Sequence, residues 1–380
     1  MANLSAQRAG FPLEINQQEI RFSRWPSREK RGSYAPQSEI LTKNAWEAIE
    51  NAINAKIDRR SKKLDVCLSF LYQAYDFHKA YETARISSRP LLLYYAFLNL
   101  AKTFIIFRNI AYDLGNAEHG LSENRGGYSQ AVITARPDKP TRRAVYDLFS
   151  QALGNPPIMN DLKFRLLNDL LPQIVIGHRL WATAANKKER FIRAEKIEFL
   201  HDTNAKEMWT VIDFKRSDVK ALKIKTQKFI DYAGLGGFSE ILPADVSEDG
   251  PAYLKKIIRL EQKHPQKYVD VPIEKLHLLP KIIGNKMWCI MRTVPAYRRY
   301  YFWASKELTN GKLLDPLLSV YVVIYYLGSV TRYRPNYFED LQASSFGNLF
   351  DEIIQTQGQQ MLFHLAAEFQ ERDISWPAVL

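Results

Sequence analysis

Cysteine is scarce in this sequence: only Cys67 and Cys289 occur among 380 residues. Two cysteines cannot build a disulfide framework, and each lies in an apolar stretch, where a buried thiol is the usual outcome. No Cys-x2-Cys or His-x3-His spacing occurs, so the sequence predicts neither a metal site nor a cofactor. Residues 1–10 also lack the apolar segment of a secretory signal. Together these features predict a reducing, cytoplasmic location.

Long uninterrupted apolar runs are missing too. The run from Leu91 to Phe107 contains Asn99 and Lys102. The run from Leu313 to Val330 contains Asp315. Because a membrane-spanning helix needs about 20 predominantly apolar residues, both runs are predicted to be buried core helices. No transmembrane segment is expected.

Signatures of catalysis are also lacking. The sequence contains neither a Walker phosphate loop nor a Gly-x-Gly-x-x-Gly fingerprint, and no Gly-x-Ser-x-Gly elbow. Arg259 and His264 have the Arg-x4-His spacing of HEPN-type ribonucleases, in which such a pair stabilises a phosphorane and moves protons. Pro265 follows directly, which predicts that His264 ends a helix. The sequence identifies no catalytic residue and leaves open whether the protein is an enzyme.

What the sequence does have is an excess of positive charge. Its 53 Lys and Arg residues against 41 Asp and Glu residues give a formal net charge of +12. Such a surplus favours a polyanionic partner, either nucleic acid or an anionic membrane surface, and it also fits a solvated basic surface. Aromatic residues make up 12% of the chain, which suits thick helix packing or exposed rings at a binding face.

Helical periodicity marks both ends of the chain. Apolar residues recur at helical spacing in residues 38–56 and 62–85. A third helix is predicted from Arg89 to about residue 112, with a proline in its first turn. Its apolar character nearly all round places it at the centre of a bundle. Residues 313–332 and 345–372 predict two further helices.

The middle of the chain changes character. Residues 190–202 and 207–215 alternate apolar and polar side chains, which predicts strands, and residues 286–293 and 299–303 suit further strands. The predicted fold is α+β and predominantly α-helical, with a helical bundle built from both chain ends and a small antiparallel sheet region between. The corresponding parts are an irregular N-terminal arm (1–37), a helical bundle part (38–172), a mixed α/β insert (173–310) and C-terminal helices packing back on the bundle (311–380).

Two short clusters mix cations with aromatic rings. Arg332, Tyr333 and Arg334 close an apolar helix, where the arginines either complement the helix dipole or flank an RNA site with Tyr333 free to stack. Arg298 and Arg299 precede four aromatic residues. That mixture suits single-stranded nucleic acid as well as an edge strand with one buried face. Arg298, Arg299 and Tyr333 are the predicted nucleic-acid contacts.

Two segments resemble the signatures of the YaaC-like family. One is Ser-Arg-Pro-Leu-Leu-Leu-Tyr-Tyr-Ala-Phe-Leu-Asn-Leu-Ala-Lys at residues 88–102, followed by His-Gly-Leu at 119–121. The other is Gly-Ser-Val-Thr-Arg-Tyr-Arg-Pro at residues 328–335. The resemblance implies a bacterial intracellular protein whose helical core is similar to HEPN-type bundles, with relatives near defence and toxin genes. No catalytic residue carries over, since Arg108 and His119 are too far apart for the HEPN spacing.

The polar residues of both signatures are unusual in apolar helices, because a buried Asn or Lys must find partners. We expect the two signature helices to pack together, with their cations lining one pocket for a phosphate-bearing ligand. The alternative is that these polar residues lie on a solvent-exposed face of each helix. The predicted ligand-binding residues are Arg89, Asn99, Lys102, His119, Arg332 and Arg334.

Three functions are compatible with these features. The first is a nucleic-acid-associated protein, an RNA-directed effector in bacterial stress or phage defence, whose binding would weaken steeply with salt. The second is a non-catalytic adaptor that binds another protein or a second copy of itself, since aromatic residues are enriched at protein interfaces. The third is an enzyme or binder for a phosphate-bearing small ligand or nucleotide.

Overall fold

The computed structural model describes residues 4–30, 32–242, 256–284, 287–290, 299–306 and 313–376. Among these residues, the helices are α1 (Ala45–Lys56), α2 (Lys62–Thr83), α3 (Arg89–Phe107), α4 (Val145–Ala152), α5 (His178–Ala184), α6 (Arg216–Ala221), α7 (Thr226–Tyr232), α8 (Ile273–Leu276), α9 (Leu279–Ile283), α10 (Pro316–Tyr333), α11 (Pro335–Ala343) and α12 (Gly347–Gln370).

Eighteen short and long strands accompany these helices in the described part of the chain. They are β1 (Ser5–Ala6), β2 (Phe11–Pro12), β3 (Glu14–Ile15), β4 (Gln18–Glu19), β5 (Ser27–Lys30), β6 (Ser33–Pro36), β7 (Ile40–Leu41), β8 (Leu121–Glu123), β9 (Val132–Ala135), β10 (Leu162–Arg165), β11 (Phe191–Asp202), β12 (Glu207–Lys215), β13 (Phe238–Leu242), β14 (Ile257–Gln262), β15 (Gln266–Lys267), β16 (Met287–Ile290), β17 (Arg299–Trp303) and β18 (Ile374–Ser375).

The prediction of a helical bundle with only a small antiparallel sheet is wrong. Nine of the described strands form one sheet, in the order β1-β13-β14-β12-β11-β17-β16, with β15 pairing with β12 and β2 with β11. The sheet is mixed, because β1 runs parallel to β13 while the other pairs are antiparallel. Strands β11, β12, β16 and β17 coincide with segments that were predicted to be strands. The sheet is larger because β13, β14 and β15 were not predicted and because β1 and β2 come from the N-terminal arm, a distant pairing that leaves no local pattern.

The helix predicted to end at His264 is also wrong. Arg259 lies on strand β14, and His264 follows the end of that strand. On β14 the side chains alternate between the two faces of the sheet, so an Arg-x4-His spacing does not place the two residues as it would on a helix.

The helical core is organised around α3. Its proline lies in the first turn, and from Leu93 to Phe107 every residue except Tyr95 is buried. Helices α1 and α2 begin at Asn44 and Ser61, whose side chains accept hydrogen bonds from Glu47 N and Lys63 N. Helix α10 begins in the same way at Asp315. These caps satisfy amide groups that the first helical turn leaves without partners.

Helix α3 is also, among the described residues, the one helix long and apolar enough to cross a membrane. Buried residues make up 83% of its most apolar window. That burial is the state of a central core helix surrounded by protein, which agrees with the position predicted for it within a bundle.

Candidate functional site

The two signature helices pack directly on each other. A Cβ atom on Gly328 of α10 would lie 2.9 Å from Tyr94 Cβ and 3.3 Å from Pro90 O on α3, so only glycine permits this approach. Near the end of α10, Arg332 Nη1 donates a hydrogen bond of 2.7 Å to Tyr95 Oη. The expected packing of the two helices is therefore confirmed. It brings the end of α10 beside the first half of α3.

Lys102 lies two helical turns beyond Tyr95 on α3, and the residue is buried. The residue is 8% exposed, and its ammonium group lies 5.0 Å from the centre of the Phe70 ring. Burial lowers its pKa from the ordinary value. Among the described residues no carboxylate comes within 4.0 Å of Lys102 Nζ. A buried cation without an anionic partner costs stability, since an ion loses hydration on burial.

Asn99 precedes Lys102 by one turn and shares its face of α3. It is 7% exposed, and its amide side chain has no hydrogen-bond partner in the part of the chain that the structure describes. An amide both donates and accepts hydrogen bonds. It can therefore bind the hydroxyl or phosphate oxygen of a ligand beside Lys102.

His119 is held at the junction of α3 and α10 by Tyr94. The distance from Tyr94 Oη to His119 Nδ1 is 2.6 Å. Burial lowers the pKa of His119, and the positive charges of Lys102 and Arg332 lower it further, while Glu118 opposes them. His119, Lys102 and Arg332 are thus close enough for their charges to interact. An anion bound among them would relieve this repulsion.

The rim of the site carries aromatic rings next to cations. Arg332 is exposed, and its guanidinium lies 5.0 Å from the centre of the Tyr333 ring. Tyr333 is 57% exposed, and the guanidinium of Arg125 lies 5.8 Å from the same ring. Beside them, the Tyr95 and Phe77 rings stack with centres 5.3 Å apart. An exposed ring between two arginines can stack on a base while the arginines contact phosphate.

Arg89 and Arg334 have other contacts. Arg89 Nε donates to Ala84 O at 2.9 Å, so this arginine binds the carbonyl end of α2. Arg334 Nη2 lies 3.0 and 2.9 Å from the two carboxylate oxygens of Glu123. Arg334 Nη1 also donates to the backbone carbonyl groups of Arg125 and Gly126. Both arginines hold neighbouring segments of the fold.

Of the predicted nucleic-acid contacts, Arg298 lies outside the described residues. Arg299 lies on β17, but the structure describes only its backbone.

Arg259 binds Asp213 through two hydrogen bonds of 2.8 Å. Asp213 is 6% exposed, so Arg259 belongs to a buried ion pair within the sheet.

A second polar cluster was not predicted from the sequence. We call it the arginine–glutamate network, and it consists of Arg24, Arg108, Asp315, His364 and Glu368. Arg24 Nη1 lies 3.2 Å from His364 Nε2 and 3.6 Å from Glu368 Oε1. Arg108 Nη2 lies 3.7 Å from Glu368 Oε2. Burial raises the pKa of Asp315 to about 6, although Arg24 opposes that rise.

A signal for this network is present in the sequence of α12. Gln357, His364 and Glu368 recur at helical spacing on α12, and all three are buried. Because arginine can only donate, His364 Nε2 accepts from Arg24 and the proton of the neutral ring lies on Nδ1. The signal shows a polar stripe, but it does not reveal Arg24 as the partner.

Comparison with known proteins adds one finding. The family model described as "YaaC-like Protein" matches residues 31–369. No curated protein and no solved structure matches the chain. The match covers both signature segments, the mixed sheet from β11 onward and nearly all of α12. This protein therefore belongs to the YaaC-like family.

Proposed function

We propose that this protein binds single-stranded nucleic acid, RNA in the first place, and holds a backbone phosphate among Lys102, His119 and Arg332. The observation that carries the proposal is the Lys102 side chain: the residue is only 8% exposed, and its ammonium group has no carboxylate partner among the described residues. A desolvated cation is costly, and a phosphate group is the anion that would compensate it.

The aromatic rim supports a nucleic-acid ligand over a bare anion. Tyr333 is exposed between two arginines, so one base can stack there while Arg332 faces the phosphate. Stacking contributes about 1–3 kcal/mol per base and needs an unpaired base. Single strands present such bases, whereas a duplex keeps them stacked inside. The net charge of +12 agrees with a polyanionic partner.

The experiment that tests the proposal is a fluorescence-anisotropy titration across salt. The probes are a labelled six-nucleotide uridine RNA, the corresponding DNA and a duplex RNA of equal length. We expect the single-stranded RNA to bind best, with affinity falling linearly in log–log form as salt rises. Arg332→Ala should weaken binding about tenfold, because one phosphate contact and one ring contact are lost.

Arg179→Ala is the matched control. The Arg179 side chain is 83% exposed, and the substitution removes the same charge at a position away from the site. Arg334→Ala is unsuitable, because it would leave the Glu123 carboxylate, 5% exposed, without its arginine. If wild type binds no oligonucleotide at low salt, the proposal is wrong. Binding of uridine monophosphate alone at the same residues would favour the small phosphate-bearing ligand.

A further inference from the structure

A groove on the sheet side of the molecule has a rim of cations. It has a volume of about 630 Å³ and lies between the end of strand β12, helix α6 and the start of β14. Its cations are Lys196, Lys215, Arg216, Lys220 and Lys256, and Ile257 lies in its lining. We call it the α6 groove.

The carboxylates in the α6 groove are already engaged by cations. Asp213 receives two hydrogen bonds of 2.8 Å from Arg259, and Glu195 receives one of 2.6 Å from Arg193. Lys220 and Lys256 are exposed, and no carboxylate of the described residues lies within 4.0 Å of either ammonium group. The groove therefore presents net positive charge to solvent.

One cation of the groove is held in place by the fold. Arg216 Nη2 donates to Glu240 Oε1 at 3.2 Å and to Ile257 O at 3.0 Å. The Lys196 and Lys215 side chains are 59% and 50% exposed, and their ammonium groups lie 2.5 Å from Glu198 Oε1 and 3.7 Å from Glu195 Oε1. Lysine is a compact point charge on a flexible stem, which suits phosphates of varying position more than one fixed ligand.

The chain around the groove is the most basic stretch of its length that the structure describes. Residues 215–228 contain Lys215, Arg216, Lys220, Lys223, Lys225 and Lys228 against one acidic residue, Asp218. Six cations less one anion leave +5 of the total of +12 on these 14 residues. A local surplus of this kind attracts a polyanion by releasing condensed counterions from it.

We infer that the α6 groove is a second contact surface for the backbone of the nucleic acid, used by strands too long to be covered by the Lys102 site alone. The inference rests on the proposed function, because it needs the same class of ligand. The groove binds phosphates without reading bases, whereas Tyr333 and Lys102 contact one nucleotide. Affinity should therefore increase with strand length through Lys220 and Lys256.

The test compares six-nucleotide and thirty-nucleotide uridine RNA on the full-length protein. Lys220→Gln/Lys256→Gln should lower affinity for the long strand about tenfold and leave the short strand unchanged. The slope of log affinity against log salt should fall by about 1.4 for the long strand, since each lost phosphate contact accounts for about 0.7. Lys187→Gln/Lys188→Gln is the control, because both lysines are exposed and this double substitution removes the same two positive charges.

The outcomes separate the two ideas. If wild type binds both strands and the Lys220/Lys256 variant binds the long strand as tightly as wild type, the groove inference is wrong and the Lys102 site stands. If the control pair loses as much affinity as the groove pair, general charge explains the effect and the groove inference is also wrong. If wild type binds neither strand, the proposed function itself fails. Melting temperature is measured on every variant to exclude unfolding.

Discussion

The arginine–glutamate network and the Lys102 site both place charged groups in the helical core, but they compensate those charges differently. In the network, Glu368 lies between Arg24 and Arg108, and each arginine is within 3.7 Å of its carboxylate. At the Lys102 site, the positive charges of Lys102 and Arg332 lower the pKa of His119, and no carboxylate of the described residues lies within 4.0 Å of Lys102 Nζ.

In the proposed function, this difference separates structural charge from charge that is kept for a ligand. A paired buried charge stabilises the surrounding fold only while its partners remain, and removing one partner leaves a costly ion. An unpaired buried cation costs stability in the free protein and regains it when an anion binds. Mutations at the two clusters should therefore change stability in opposite directions.

The largest expected effect is the loss of Glu368. Glu368→Gln leaves Arg24 and Arg108 without the carboxylate they share, and its side chain is only 11% exposed. We expect the free energy of unfolding to fall by about 3–5 kcal/mol in urea titrations. Glu371→Gln is the control: it also contacts Arg108, but its side chain is 52% exposed, so a loss below about 1 kcal/mol is expected. Equal losses of unfolding free energy in the two variants would show that burial of the carboxylate does not determine its contribution to stability.

A smaller effect is expected where α10 meets α3. Gly328→Ala places a Cβ atom 2.9 Å from Tyr94 Cβ, and the helices must separate to accept it. We expect a loss of about 1–3 kcal/mol in unfolding free energy and weaker RNA binding, since Arg332 moves relative to Lys102. Gly236→Ala is the matched control, because no atom other than those of its chain neighbours lies within 4 Å of the position that its Cβ would take. A stable Gly328→Ala variant would contradict the close packing.

Lys102→Met should leave stability unchanged or raise it by up to about 1 kcal/mol. The change removes a desolvated ammonium group and keeps an unbranched side chain against Phe70, at the cost of a weak cation–π contact. Because the pKa of Lys102 is lowered on folding, the unfolded chain binds more protons below the ordinary value of 10.5. Wild-type stability therefore rises with pH toward that value, and the advantage of the variant should shrink. A large loss at neutral pH would show that Lys102 is structural.

The smallest expected effect is a pH dependence of RNA binding through His119. Burial and the positive charges of Lys102 and Arg332 lower the pKa of His119 below 6.5 in the free protein, and the negative charge of Glu118 opposes this shift. Only the protonated ring adds a positive charge, so affinity should rise about five- to tenfold as the pH falls below 6.5, for a contact of about 1 kcal/mol. A phosphodiester probe without a terminal phosphate does not titrate there. His119→Gln should remove the rise, and a persistent rise would assign it to another group.

Much of the helical part was visible in the sequence. Helix α2 was predicted at residues 62–85 and observed at Lys62–Thr83, and the proline in the first turn of α3 marked its start correctly. The apolar character of α3 predicted its burial, because a helix apolar all round must be enclosed. These features depend on residues that are close together in the sequence, so the helical periodicity of the apolar residues reveals them.

The full extent of the sheet and the division of the polar residues were not visible in the sequence. Strand β1 pairs with β13, more than 230 residues away, and its two residues carry no period of their own. Among the predicted ligand residues, Arg89 and Arg334 resemble Arg332 in sequence, yet they bind carbonyl and carboxylate groups of the fold. Only the positions of Ala84 and Glu123 distinguish a structural arginine from one that faces a ligand.

The most direct test is the affinity of Lys102→Met for the six-nucleotide RNA, measured by titration calorimetry at low salt. Lys188→Met serves as the control, since it removes the same charge from an exposed position. If the unpaired buried ammonium group marks the ligand site, Lys102→Met loses at least about tenfold in affinity at an unchanged or higher melting temperature, while Lys188→Met binds like wild type. Equal binding by both variants would contradict the assignment of the site to Lys102.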